Sequence, residues 1–199
     1  MGAFRNEPKE WERLDWSLFL NGFVHLFWRR EVLEEAVRWL QDNGYAIRRM
    51  DASGWVSAED FDDAISRALD FPDYYGRNLN ALLDCLRDVG SYYYGADPDA
   101  SGTAAVILGY DAFAARYRDL AQGVLDVFAT AALESLLIGH RMLLLVQSND
   151  PKLRFDDVGA QQVRWNPKEW LKRPAACDRP GPALISWNRA PLASVPPLL

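Results

Sequence analysis

Between Phe71 and Leu86 the sequence reads FPDYYGRNLNALLDCL, and the groups in and just beyond it that could do chemistry are carboxylates, an amide, a guanidinium and phenols. At about 100° per residue, Arg77, Asn80, Asp84 and Asp88 fall within one narrow arc of a helix. The opposite arc is apolar: Leu79, Leu82, Leu83 and Leu86 stand at i, i+3, i+4 and i+7 and must pack on a core. Pro72 cannot sit inside a helix and Gly76 can take a positive φ, so a tight loop carrying Tyr74 and Tyr75 is expected to hand over directly to this helix. These groups offer charge, hydrogen bonds and ring faces, without a nucleophile paired to a base. The chemistry they suit is recognition, through an exposed patch of aromatic rings and carboxylate.

Other chemistries lack their residues. The sequence has no Gly-rich phosphate-binding loop, no nucleophile set beside a base and, with two histidines, no close Cys/His spacing for zinc. Neither a metal nor another cofactor is expected, and an enzyme is the third reading behind two binding ones. Cys85, on a helix among leucines, reads as an inert core thiol. Cys85 and Cys177 fit a reducing compartment and cannot staple the fold.

Charge points the same way. The net charge is −6, but from Tyr45 to Asp150 there are 16 acids against 8 bases, while the remaining residues hold 12 acids and 14 bases. Concentrated negative charge disfavours direct RNA or DNA binding and favours a basic protein partner. Eight Trp and 49% hydrophobic residues exclude a disordered chain. No run of eighteen apolar residues suggests a membrane span, and Met1 to Asn6 lacks a basic start followed by an apolar core, so a cytoplasmic location is expected.

The elements that must position the patch follow from periodicity. Phe23 to Trp28 is β-prone, and Glu31 to Asp42 carries Val32, Leu33, Ala36, Val37 and Leu40 on one helical face. Asn43-Gly44 ends that helix, and Tyr45 to Met50 reads as a strand. This order predicts a βαβ unit. Ser57 and Asp60 form a capping pair before a helix that delivers the chain to the Pro72 loop. Ala104 to Leu108 and Met142 to Val146 are continuous apolar runs, as strands covered on both faces require, with a helix-rich stretch from Ala112 to Leu137 between them. Two copies of Pro-Lys-Glu-Trp, at Pro8 to Trp11 and Pro167 to Trp170, read as short helices whose tryptophans anchor a terminus, or as part of a second binding surface built on Trp165 and Trp170. The fold class is α/β: a small parallel sheet flanked by helices.

In register, Pro72, Tyr74-Tyr75-Gly76, Asn78-Leu79, Ala81-Leu82 and Asp84-Cys85-Leu86 resemble the loop and helix of the barstar family, intracellular inhibitors of secreted bacterial ribonucleases. The resemblance implies a three-stranded parallel sheet with helices for Tyr45 to Ser148 and no catalytic activity of its own. Together with the periodicity before it and the composition after it, this divides the chain into an N-terminal extension (1–44) with a βα unit, a barstar-like part (45–150), a packed appendage (151–173) and a loosely ordered proline-rich tail (174–199). It also implies a basic secreted-type ribonuclease as partner, whose cleft would receive a carboxylate in place of an RNA phosphate. Asp84 matches the family's chief carboxylate, Tyr74 its contacting tyrosine, and Gly76 keeps the loop backbone close to the partner. Glu134 matches a peripheral acid through the Val-Leu-x-Val-Phe stretch at Val124 to Phe128. With Tyr75, Asn80, Leu83 and Asp88 these make the expected partner-binding set.

This chain departs from the family at five places. Arg77 stands for an acid, Asn80 for an aspartate, Leu83 for a tryptophan, Thr130 for a glutamate and His140 for a cysteine. A scaffold redirected to a non-ribonuclease partner is therefore the second reading. The oligomeric state is left open.

Overall fold

The computed structural model of the chain describes residues 4, 5, 7–159 and 161–170. In chain order its elements are α1 (Pro8–Trp11), α2 (Leu14–Leu20), β1 (Val24–Phe27), α3 (Arg30–Asp42), β2 (Tyr45–Asp51), α4 (Ala58–Ala68), α5 (Leu79–Gly90), β3 (Gly102–Leu108), α6 (Tyr110–Arg116), α7 (Arg118–Leu137), β4 (Met142–Gln147) and β5 (Arg164–Trp165). The strands form one parallel sheet in the order β2-β3-β4-β1-β5. The α/β class expected from the sequence is therefore the class observed.

Alternation along the strands divides the core in two. Ala105 and Ile107 of β3 and Met142, Leu144 and Val146 of β4 face the layer that holds α4 to α7. Ala104, Val106 and Leu108 of β3 and Leu143 and Leu145 of β4 face the other way, onto Leu18 of α2 and onto α3. The α3 stripe is the one its periodicity predicts: Val32, Leu33, Ala36, Val37 and Leu40 are all buried. Gly44, at φ 82°, ends that helix in the left-handed conformation that glycine adopts without steric cost. Ser57 and Asp60 close a full capping box at the start of α4.

β2, β3 and β4 are the three parallel strands that the resemblance implied for Tyr45 to Ser148, and β1 and β5, from outside that stretch, extend the β4 edge to make five. One expectation is corrected. The predicted βαβ unit joins strands that are not neighbours: β1 pairs with β4, and the connection through α3 passes over β4 and β3 before β2. That path is what lets α3 cover the second face. The helix-rich stretch is broken at Tyr117 into α6 and α7. By length and composition α7 could cross a membrane, but Ala121, Val124, Leu125, Phe128 and Ala132 are buried, as befits a core helix.

The flanking segments are tied down by buried carboxylates. Asp15 is fully buried and accepts from Tyr45 Oη at 2.8 Å, from both Arg13 nitrogens at 2.8 and 2.9 Å and from Arg141 Nη1 at 3.5 Å. Burial alone would raise its pKa; the Arg13 and Tyr45 donors outweigh that and hold the carboxyl below its ordinary value. At the other end Glu169 accepts from the backbone N–H groups of Trp28 and Arg29 at 3.1 and 3.3 Å and from Arg29 Nε at 3.0 Å. Both Pro-Lys-Glu-Trp copies begin a short helical turn, the second capped by Asn166 accepting from the Lys168 N–H. Trp170 packs edge-on against Trp28 at 4.8 Å. The proline-rich tail (174–199) and Cys177 lie outside the described residues.

His25 of β1 is enclosed beneath α2, with Nε2–H donating to the Gly22 carbonyl at 3.2 Å, and burial pushes its pKa down to about 4. The folded value lies below the ordinary histidine value of 6.5, so the stability tied to the neutral ring is complete above that pH and is lost as pH falls toward 4. Unfolding stability is expected to drop across this window by about 1 kcal/mol per pH unit from this group. Buried His140 works in the same direction. Urea titrations at a series of pH values should show a flatter profile for His25→Gln; identical profiles for variant and wild type would count against this origin.

Candidate functional site

The predicted patch forms where α5 emerges from its loop. Asn78 caps the helix, its Oδ1 accepting from the Ala81 N–H at 3.0 Å, and Leu82, Cys85, Leu86 and Val89 turn into the core. The left-handed residue of the loop is Arg77 (φ 49°), not Gly76. Arg77 forms an exposed ion pair with Asp63 of α4 at 2.7 Å. Gly76 is needed for closeness instead: a Cβ there would stand 3.2 Å from Ala81 Cβ and 3.3 Å from Asn78 Nδ2.

The two loop tyrosines part company. Tyr74 is 77% exposed, whereas Tyr75 is buried and its hydroxyl donates to Asp62 Oδ1 at 2.7 Å. Burial raises the Asp62 pKa against the opposing pull of that donor, and burial followed by the Asp62 hydrogen bond raises that of Tyr75. Tyr75 thus anchors the loop to α4 beneath the rim that Tyr74 presents, a correction to its expected place among the contacting groups.

Two small-residue contacts set α5 against α7. Gly90 of α5 lies under Ser135, and Gly123 of α7 lies under Leu79; any Cβ at either glycine would overlap the partner side chain. Leu79 meets Gly123 and Gly90 meets Ser135, so the two helices run parallel. That alignment brings Glu134 of α7 beside α5.

Asp84 projects from this pair with 76% of its side chain exposed, and Asn80 is exposed one turn earlier. Leu83 is half-buried on the flank and packs partly on the core. Asp88 is half-buried and accepts from Tyr94 Oη at 3.1 Å. Arg87, which the sequence reading passed over, donates from Nε and Nη2 to the two Glu134 oxygens at 2.7 and 2.9 Å and from Nη1 to Asp84 Oδ1 at 3.4 Å. Its spacing of three residues from Asp84 was the available signal. The fork holds Glu134 below its usual carboxylate range, and Glu134 together with Asp84 raises Arg87. Asn80, Asp84 and Asp88 thus share α5, and Arg87 ties Glu134 to Asp84, so a cation stands among the acids, with the exposed Tyr74 in the loop that leads into the helix.

Cys85 is buried, with its thiol pushed up by burial, which suits a packing role. Among the described residues no group of His, Cys, Asp and Glu is arranged to hold a metal ion. The described parts of the appendage hydrogen-bond through Asp156 and Gly159 to Gln122 and Asp126 of α7 and through 166–169 to β1 and Arg29, and Val158, Gly159 and Gln161 line a pocket shared with Thr130, Leu133 and Glu134, so the appendage reaches the Glu134 side of the rim.

The family model described as Barstar (barnase inhibitor) matches residues 45–147. YrdF of Bacillus subtilis (strain 168), a protein proposed by its name to be a ribonuclease inhibitor, is 51% identical over 37 residues, which are 19% of this chain and 41% of that protein. The chain thus spans about two fifths of the curated relative it matches. Among solved structures, a chain in a structure of Drosophila ORC bound to AT-rich DNA and Cdc6 is 16% identical with a TM-score of 0.45, covering 70% of this chain and 45% of that one. A chain of Drosophila ORC bound to DNA is 14% identical with the same TM-score, covering 69% and 73%. Similarity at that level carries no argument about what this chain binds.

Proposed function

The chain belongs to the barstar family, and from that premise we propose that it is a protein inhibitor of a ribonuclease, acting in the cytoplasm of the cell that makes it. The observation that supports this reading best is the state of Asp84: a carboxylate 76% exposed midway along α5, the helix that follows the loop carrying the exposed Tyr74 ring. A ribonuclease cleft is basic because it holds phosphate, and a carboxylate pre-positioned on a rigid element can occupy it at little ordering cost. Asp84 would enter the cleft, with Tyr74 and Asn80 against its lip and Asp88 and Glu134 at the periphery.

The test is titration of secreted microbial ribonucleases, barnase among them, with the purified protein while RNA cleavage is followed. Stoichiometric loss of cleavage by at least one nuclease is the expected result. A redirected interaction module is the alternative, favoured by Arg77, Asn80 and Leu83, which reduce the acid and aromatic content of the rim, and by the exposed Trp170 at the opposite terminus. It would be preferred if the whole panel stayed active in excess protein.

A further inference from the structure

The acidic rim holds a positive charge at its centre. Arg87 grips Glu134 through two parallel hydrogen bonds and touches Asp84 with its remaining nitrogen. This is the geometry by which a guanidinium from a partner would engage the same two acids. We infer that Arg87 is a resident counter-cation: it fills the partner's place on Glu134 and Asp84, so the rim accepts only a protein whose own cations displace it. The inference rests on the proposed ribonuclease reading and assigns a specificity determinant within that site.

Three observations carry it. All three side chains are exposed, at 45% for Arg87, 42% for Glu134 and 76% for Asp84, so the ion pairs are bathed in water and exchangeable. Glu134 and Asp84 sit on different helices, and Arg87 joins the two without being enclosed by either. Arg77, in the loop before α5, is ion-paired to Asp63 of α4. When a basic cleft closes over the rim and expels water, a cation contributed by the cleft gains on Arg87, which is repelled by the same cleft. A weakly basic surface lacks that advantage and leaves Arg87 in place.

The test compares wild type, R87A, R87K, E134Q and the R87A/E134Q double variant for binding to the same ribonuclease panel, barnase included, at low and high salt, with thermal melts to establish that each is folded. R87A is expected to bind about tenfold more tightly, chiefly by faster association, and with a steeper salt dependence. R87K keeps the charge without the fork and should fall between the two. With Glu134 neutralised, the gain from R87A should shrink to about threefold, because only Asp84 remains to be released. Tight wild-type binding with an unchanged or weaker R87A would overturn the inference and leave the inhibitor reading standing. A panel that neither wild type nor R87A binds would overturn both, whereas binding by R87A alone would support the counter-cation directly.

Discussion

Replacing Asp84 by alanine is expected to weaken binding to the target ribonuclease by about 2–5 kcal/mol, a loss of about 30-fold to several thousandfold, mainly through faster dissociation. The size follows from what is left behind: the partner's phosphate-binding cations would be covered by the complex with no anion to face them. Asp84→Asn keeps the shape and a hydrogen-bonding oxygen but not the charge, and should lose most of the same affinity. Asp88→Ala serves as a comparison, because the carboxylate of Asp88 is half-buried and already takes a hydrogen bond from Tyr94. Its effect should be smaller. Calorimetric titration of the three variants against a nuclease that the wild type binds decides the matter; equal affinities for Asp84→Ala and wild type would remove Asp84 from the site.

The largest expected effect on stability lies at Phe113. Its ring is fully buried in the layer of α4 to α7, edge-on to Trp55 at 5.2 Å, stacked on Phe61 at 5.7 Å and tilted against Tyr110 at 5.6 Å and Tyr117 at 5.8 Å. Phe113→Ala removes the shared neighbour of four rings and leaves a void that helices on a sheet close only partly, at a cost of about 3–5 kcal/mol. Chemical denaturation should show the midpoint falling by that equivalent. Affinity measured under conditions where the variant is folded should not change, because Phe113 makes no contact with the Asp84 rim. A loss below about 1 kcal/mol would mean the ring cluster repacks freely.

How much of this was legible depended on how local each cause was. The α3 stripe, the Ser57 capping box and the two central strands were readable because helix period, cap chemistry and unbroken apolar runs are properties of neighbouring residues. So was the α5 stripe. The loop before it was read less well. Gly76 looked like the residue for a positive φ, yet Arg77 takes that conformation, with its side chain paired to Asp63 fourteen residues earlier. Tyr75 looked like a companion to Tyr74, but its partner Asp62 lies thirteen residues away, and local spacing does not disclose the pairing. The neighbour of β1 and the existence of β5 were missed for the same reason. Nothing in Val24 to Phe27 or Arg164 to Trp165 says which edge those strands will join.

One consequence follows from the way β1, α2 and α3 lie on the sheet. The face of β3 and β4 made by Ala104, Val106, Leu108, Leu143 and Leu145 is sheltered by residues that precede the stretch matched to the family. A recombinant boundary drawn at Tyr45 would therefore slice through a common hydrophobic interior and bare a sticky apolar plane. Anyone grafting this binding rim onto another protein has to carry the preceding helices along with it.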